Sequence, residues 1–176
     1  AAVWATENTR AALFDAMLRK EVYATTGPRM TVRMFGGWNF SDADATARDM
    51  AERGYAGGVP MGGDLPSAAR SAAPSFLPAA QKDPAGANLD RIQIIKGWLD
   101  ADGQTQEKIY DVAWSGERKP GRDGKLPAVG NTVDVAQASY SNAIGAAGLQ
   151  AYWHDPQFDS AQRAFYYVRV IEIPTP

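Results

Sequence analysis

The residues able to do chemistry in this chain are few and scattered. Thr25-Thr26-Gly27-Pro28-Arg29 closes a short β-prone run. Two hydroxyls and a guanidinium there could hold an anionic group; the plainer alternative is a strand-ending turn with Arg29 ion-paired. Asp100, Asp102, Thr105 and Glu107 mimic the early part of a calcium loop. They lack the full spacing that such a loop needs, and a hairpin turn explains Asp102-Gly103 by itself. Asp83, Asn88 and Asp90 put oxygen ligands at loop spacing, which suits turn capping. Gly57, Gly58, Gly62 and Gly63 lack the Gly-Lys-Ser/Thr ending of a phosphate-binding loop. His154 is the sole histidine, and there is no cysteine. Zinc, manganese or iron wants several convergent ligands, so His154 is most simply a turn residue. Trp38, Trp98, Trp114 and Trp153 suit core or interface anchors better than a sugar platform, since no sugar-site carboxylate pair accompanies them.

Composition narrows the class. The 176 residues are 45% apolar, enough to bury a normal core, and carry a net charge of −2. A nucleic-acid partner would call for a basic patch, and none is expected. No apolar run approaches the roughly 18–20 residues of a membrane span. The absence of cysteine fits an exported or a cytosolic protein equally. The chain opens on Ala1-Ala2-Val3-Trp4 and stops just after an apolar strand, which reads as a piece of something longer.

The elements that would position these residues centre on Arg91–Ser115. Ile92, Ile94 and Trp98 alternate with Ile95 and Leu99, Asp100-Ala101-Asp102-Gly103 supplies a turn, and Lys108, Tyr110, Val112 and Trp114 alternate on the return. Period-two alternation is what a half-buried hairpin requires. Trp98 and Trp114 are expected near each other across it, both largely buried. Upstream, residues 6–20 predict a helix capped by Asn8 or Thr9, with Ala12, Leu13, Ala16 and Met17 as its apolar face and Phe14 and Leu18 widening it. A strand follows over Met30–Phe35, broken or bulged at Gly36-Gly37. A weak helix is expected over 41–53, and a long ordered loop over 54–66. Residues 75–82 read as a strand weakened by Pro78, and 117–130 as an exposed excursion. Strands are expected over 149–153 and 164–173, with a helical turn at 158–163 between them.

Several stretches carry a resemblance. They are VWATENTR at 3–10, Ala16-Met17, EVYATTGPR at 21–29, GVPMGGDLP at 58–66, KDPAGANLDRIQIIKGWLD at 82–100 and the tail FYYVRVIEIPTP. Together they resemble a family of bacterial proteins of unknown function, similar to the PHP-type (polymerase and histidinol phosphatase) metal-dependent hydrolases and including carbaryl-hydrolase-like enzymes. The resemblance implies that residues 1–29 are the last helix and strand of an upstream α/β barrel. It implies that 30–176 form a C-terminal β-sandwich. The divalent metals, Zn, Mn or Fe, would sit in that barrel, with no cofactor in this chain. Thr25, Thr26 and Arg29 would then lie at a barrel strand end, where such folds bind substrate.

The expected fold is therefore mainly β: an antiparallel β-sandwich with long loops, preceded by a helix and strand from the barrel. The expected function is the C-terminal, non-catalytic part of a hydrolase of phosphoesters or other esters, its parent compatible with a periplasmic location. The other reading is a free-standing β-sandwich binding module whose ligand meets loops 54–66 and 117–130. Expected partners are the upstream barrel, a small-molecule substrate and, through residues 6–20, either the sandwich itself or a second copy.

Overall fold

A computed structural model describes residues 1–67 and 72–176. At the N-terminus β1 (Ala2–Val3) pairs antiparallel with β2 (Val22–Tyr23), and α1 (Arg10–Leu18) lies between them in sequence. Thr9 caps α1, its hydroxyl accepting from the Ala12 N–H. After β3 (Thr31–Gly37) come α2 (Asp42–Ala45), α3 (Met50–Gly57) and β4 (Gly58–Pro60). Then follow β5 (Ser75–Gln81), β6 (Leu89–Leu99) and β7 (Thr105–Trp114). The short β8 (Gly148–Gln150) and β9 (Trp153–His154) precede the long β10 (Ala164–Glu172). The expected β-sandwich-like fold is present, with three antiparallel sheets, none closed into a barrel. Among the described residues no helix is long and apolar enough to cross a membrane.

Two sheets make the sandwich. One runs β4-β3-β5, with β8 and β9 both on the far edge of β5; the other runs β10-β6-β7. Met34, Phe76 and Ala80 of the first face Ile92 and Ile94 of the second, flanked by Val112, Tyr166, Val168 and Val170. The opposite face of the first sheet carries Phe35 and Leu77, which pack with Phe40, Ala45 and Met50 under α2 and α3. Over Met34–Gly37 and Ser75–Pro78 this sheet is buried on both faces, so those stretches are mostly apolar rather than alternating. Each fully buried Leu, Ile or Phe side chain contributes about 1.5–3 kcal/mol.

Several expectations change on inspection. Gly36-Gly37 does not break β3 but stays inside it. A Cβ on Gly37 would come within 2.6 Å of the Phe40 ring and 2.8 Å of the Gly57 carbonyl, so glycine lets α3 and β4 approach. Residues 54–66 are therefore not one long loop: α3 continues to Gly57, and β4 pairs with β3. Pro78 sits within central β5 rather than weakening it. Its carbonyl accepts from Ala151 directly opposite, and the one reciprocal bond that its missing N–H cannot give leaves the gap between β8 and β9. That same interruption splits the strand expected over 149–153. Residues 158–163 form turns without a helix. Trp98 and Trp114 are not neighbours: Trp98 opposes Gln106 and Trp114 opposes Arg91, at opposite ends of the hairpin. The turn at 100–104 sets that register, and each ring is only half-buried. The helix does not dock on the sandwich by its stripe. Ala16 is buried and α1 packs beside β1, but Phe14, Met17 and Leu18 are exposed. Only Arg10 and Asp15 in α1 are polar, so apolar groups surround the helix and no single face can bury them all.

One ionic contact lies inside the sandwich. Lys96, on the core side of β6, reaches the Asp155 carboxylate at 2.6 Å, and both side chains are almost wholly buried. Tyr166 donates to the same carboxylate at 2.7 Å, the Gln157 N–H donates at 2.8 Å, and Lys96 also donates to the Gln157 carbonyl. Every polar atom in the pair thus finds a partner, which burial demands. Removing Lys96 leaves a buried carboxylate unpaired. Lys96→Met should lower the unfolding free energy by about 3–5 kcal/mol in urea titrations. Burial pushes the Asp155 carboxyl up, but the bonds from Lys96, Tyr166 and Gln157 outweigh it and hold the group below its ordinary value. A carboxyl depressed in the folded state stabilises above its unfolded pKa of about 3.9, and that stability is lost as pH falls through the folded value. The acid limb of the stability curve should be shallower in Asp155→Asn than in the parent.

Candidate functional site

The structure disperses the residues that the sequence singled out. Thr25 is half-buried, and Thr26 and Arg29 are exposed; the Arg29 N–H donates to Asp83 at 2.6 Å. Asp83 also accepts from Ala85, Asn88 bonds Asn142 and Ile144, and Asp90 pairs with Arg91 and Arg118. Asp100 accepts from the N–H groups of Asp102 and Gln104 and from the Gln106 amide, which is turn chemistry. His154 is exposed on β9. Among the described residues no three His, Cys, Asp or Glu side chains converge as metal ligands would.

A different set does converge. A cleft of about 700 Å³ opens between the N-terminal segment and the sandwich, lined by Trp4, Arg19, Glu21, Arg33, Tyr55 and Pro60 among others. Strand parity supplies Arg33: Val32 and Met34 point into the core, so Arg33 points to the other face of β3. Its guanidinium lies over the Trp4 ring, 4.1 Å from the centroid. The Trp4 indole is itself fixed by donating to the Val32 carbonyl at 2.9 Å. Tyr55 arrives from α3, its ring edge-on to Phe35 at 4.9 Å. Gly54 permits that contact, because a Cβ there would overlap the Phe35 ring.

The polar groups form a directed chain. Arg33 donates to the Tyr55 hydroxyl at 3.1 Å, and that hydroxyl donates to the second carboxylate oxygen of Glu21. The first oxygen accepts from Arg19 at 2.8 Å. Glu21 is buried, and both its oxygens are satisfied. Burial, then the bond to Glu21, pushes the Tyr55 phenol above its ordinary value, so it stays a proton donor. Two guanidiniums face one carboxylate, leaving a net positive site. A single Arg33 side-chain N–H goes to Tyr55; no acceptor among the described residues takes the others. This arrangement suits binding of an anion.

The sequence reading missed this set. Apart from Arg19 and Glu21, these residues lie far from one another in the chain, and no spacing rule joins the set. The one available signal was that Trp4, Glu21, Pro60 and Gly63 fall within the motifs quoted for the family resemblance. A family model described as "Protein of unknown function (DUF3604)" matches residues 1–176. No curated protein and no solved structure matches the chain.

Tyr55→Phe keeps the ring contact with Phe35 but removes the donor to the buried Glu21 oxygen. An unsatisfied buried acceptor costs about 1–3 kcal/mol. The variant should unfold at correspondingly lower urea, and a midpoint equal to the parent's would mean that Glu21 does not depend on Tyr55.

Proposed function

The chain belongs to the DUF3604 family of proteins of unknown function, and on that premise we propose that it is the C-terminal, non-catalytic part of a PHP-like metal-dependent hydrolase. The hydrolase would act on a phosphoester or another ester. The observation that carries the proposal is the bare apolar surface of the N-terminal segment. Phe14, Met17 and Leu18 on α1 and Val22 on β2 are 56%, 52%, 64% and 40% exposed. Leaving apolar area in water forgoes roughly 25 cal/mol per Å², and a cluster of this kind marks an interface. An upstream barrel of the same protein is the partner proposed for it. Residues 1–29 would then be the barrel's last helix and strand. Thr25, Thr26 and Arg29 would meet an anionic group of the substrate.

The metal chemistry belongs to that barrel in this proposal. One histidine and no cysteine do not fit the nitrogen- and sulfur-rich ligand set that zinc or iron favours. No step is therefore assigned to a metal on this chain.

The test compares the chain with the same chain joined to its natural upstream sequence. The chain alone, with Mn²⁺, Zn²⁺ or Fe²⁺, should not hydrolyse bis(p-nitrophenyl) phosphate or 1-naphthyl acetate in a chelator-sensitive way; the extended protein should. The amides of α1 should also exchange more slowly in the extended protein. Chelator-sensitive turnover by the chain alone would remove the non-catalytic assignment. An inert extended protein would remove the hydrolase.

A further inference from the structure

We propose that the cleft between Trp4, Arg33 and Tyr55 binds a small ligand carrying one oxyanion, a carboxylate or a phosphate, on an apolar ring. The residues that line it are all in this chain. Three observations converge on it. First, the Arg33 guanidinium is held in place, over the Trp4 ring at 4.1 Å from its centroid and bonded to Tyr55 at 3.1 Å. A guanidinium oriented in advance loses little freedom on binding, and its planar fork matches an oxyanion in two-point fashion.

Second, the nearest carboxylate does not quench it. Glu21 is fully engaged by Arg19 and by the Tyr55 hydroxyl, and Arg33 makes no salt bridge among the described residues. The other Arg33 N–H groups have no acceptor among the described residues and are open to the cleft, where an acceptor from outside can reach them. Third, most of the remaining lining is apolar: Ala5, Val59 and Pro60 stand beside the polar group, with Thr6 the one further polar side chain, and the cleft measures about 700 Å³. Small-molecule sites have this shape, mostly apolar walls with a few placed polar groups, and volumes of about 300–1,000 Å³. A cationic ligand would be repelled. A neutral one would leave the guanidinium unmatched.

The experiment uses the ¹⁵N-labelled full chain. The Arg33 Nε–H and Trp4 indole N–H signals are followed during titration with benzoate, phenyl phosphate, benzyl alcohol and inorganic phosphate. Benzoate, phenyl phosphate or both should shift the two signals saturably, at lower concentration than inorganic phosphate; which one binds distinguishes a planar from a tetrahedral head. Benzyl alcohol should not. Arg33→Lys should weaken binding by about tenfold or more, because a charged hydrogen bond in such a site is worth that factor and an ammonium cannot reproduce the fork. Arg48→Lys, on the exposed surface, should bind like the parent. The proposal is overturned if neither anion shifts the Arg33 signal, if benzyl alcohol or inorganic phosphate binds equally well, or if Arg33→Lys binds unchanged. The Arg33 signal in the unaltered chain decides even where the variant does not fold.

Discussion

The contact between the inner faces of the two large sheets is the constraint on which everything else rests. Ile92 and Ile94 of β6 must meet Met34, Phe76 and Ala80 of β3 and β5. Neither sheet can bury that face alone, since a strand always presents alternate side chains to opposite sides. Once Met34 is committed to the core, Arg33 is committed to the far face of β3, where the cleft lies. A register slip of one residue would reverse both placements. The apolar core therefore decides where the cleft's charge is held.

Most of the charge inside this protein is fully partnered, although one Glu172 carboxylate oxygen is buried without a partner among the described residues. Lys96 and Asp155 sit deep in the sandwich, and each finds its full set of partners. Arg118 reaches Asp90 and the Ser115 and Pro127 carbonyls, and so anchors the excursion after β7 to the base of the hairpin. Glu21 is buried and doubly bonded. Arg33 departs from the pattern: it is half-buried and oriented by aromatic rings, yet has one protein acceptor among the described residues. Structures that satisfy their polar groups elsewhere leave such exceptions at functional positions. The same contrast separates the cleft from the acidic turns at Asp83 and Asp100, whose carboxylates are occupied by backbone N–H groups.

Apolar surface shows a parallel contrast. The inner faces of the sheets are closed, with Leu89, Ile92 and Ile94 fully buried. The N-terminal helix leaves Phe14, Met17 and Leu18 in water, although a helix of nine residues is marginal without tertiary contacts. What holds it here is its Thr9 cap, the buried Ala16 and the β1–β2 pair beside it. The open helix flank and the cleft both involve the N-terminal segment.

What the sequence determined by itself was set by local rules. Alternation and turn chemistry gave the β6–β7 hairpin, with Asp100 closing the turn. An aromatic, β-branched run gave β10, and Thr9 capped α1. The mainly β sandwich followed from strands without intervening helices. Tertiary structure decided whatever depended on a distant partner. Gly36 and Gly37 looked like a break until α3 and β4 closed on them. Pro78 looked like a weak point until the gap between β8 and β9 lay where its N–H is missing. Trp98 and Trp114 were separated by a register that the turn fixes, not by their own preferences. The cleft draws Trp4, Glu21, Arg33 and Tyr55 from four separate elements and loops. No periodicity connects residues so far apart in sequence; only packing the N-terminal segment against the face of β3 away from the core brings them within hydrogen-bonding reach.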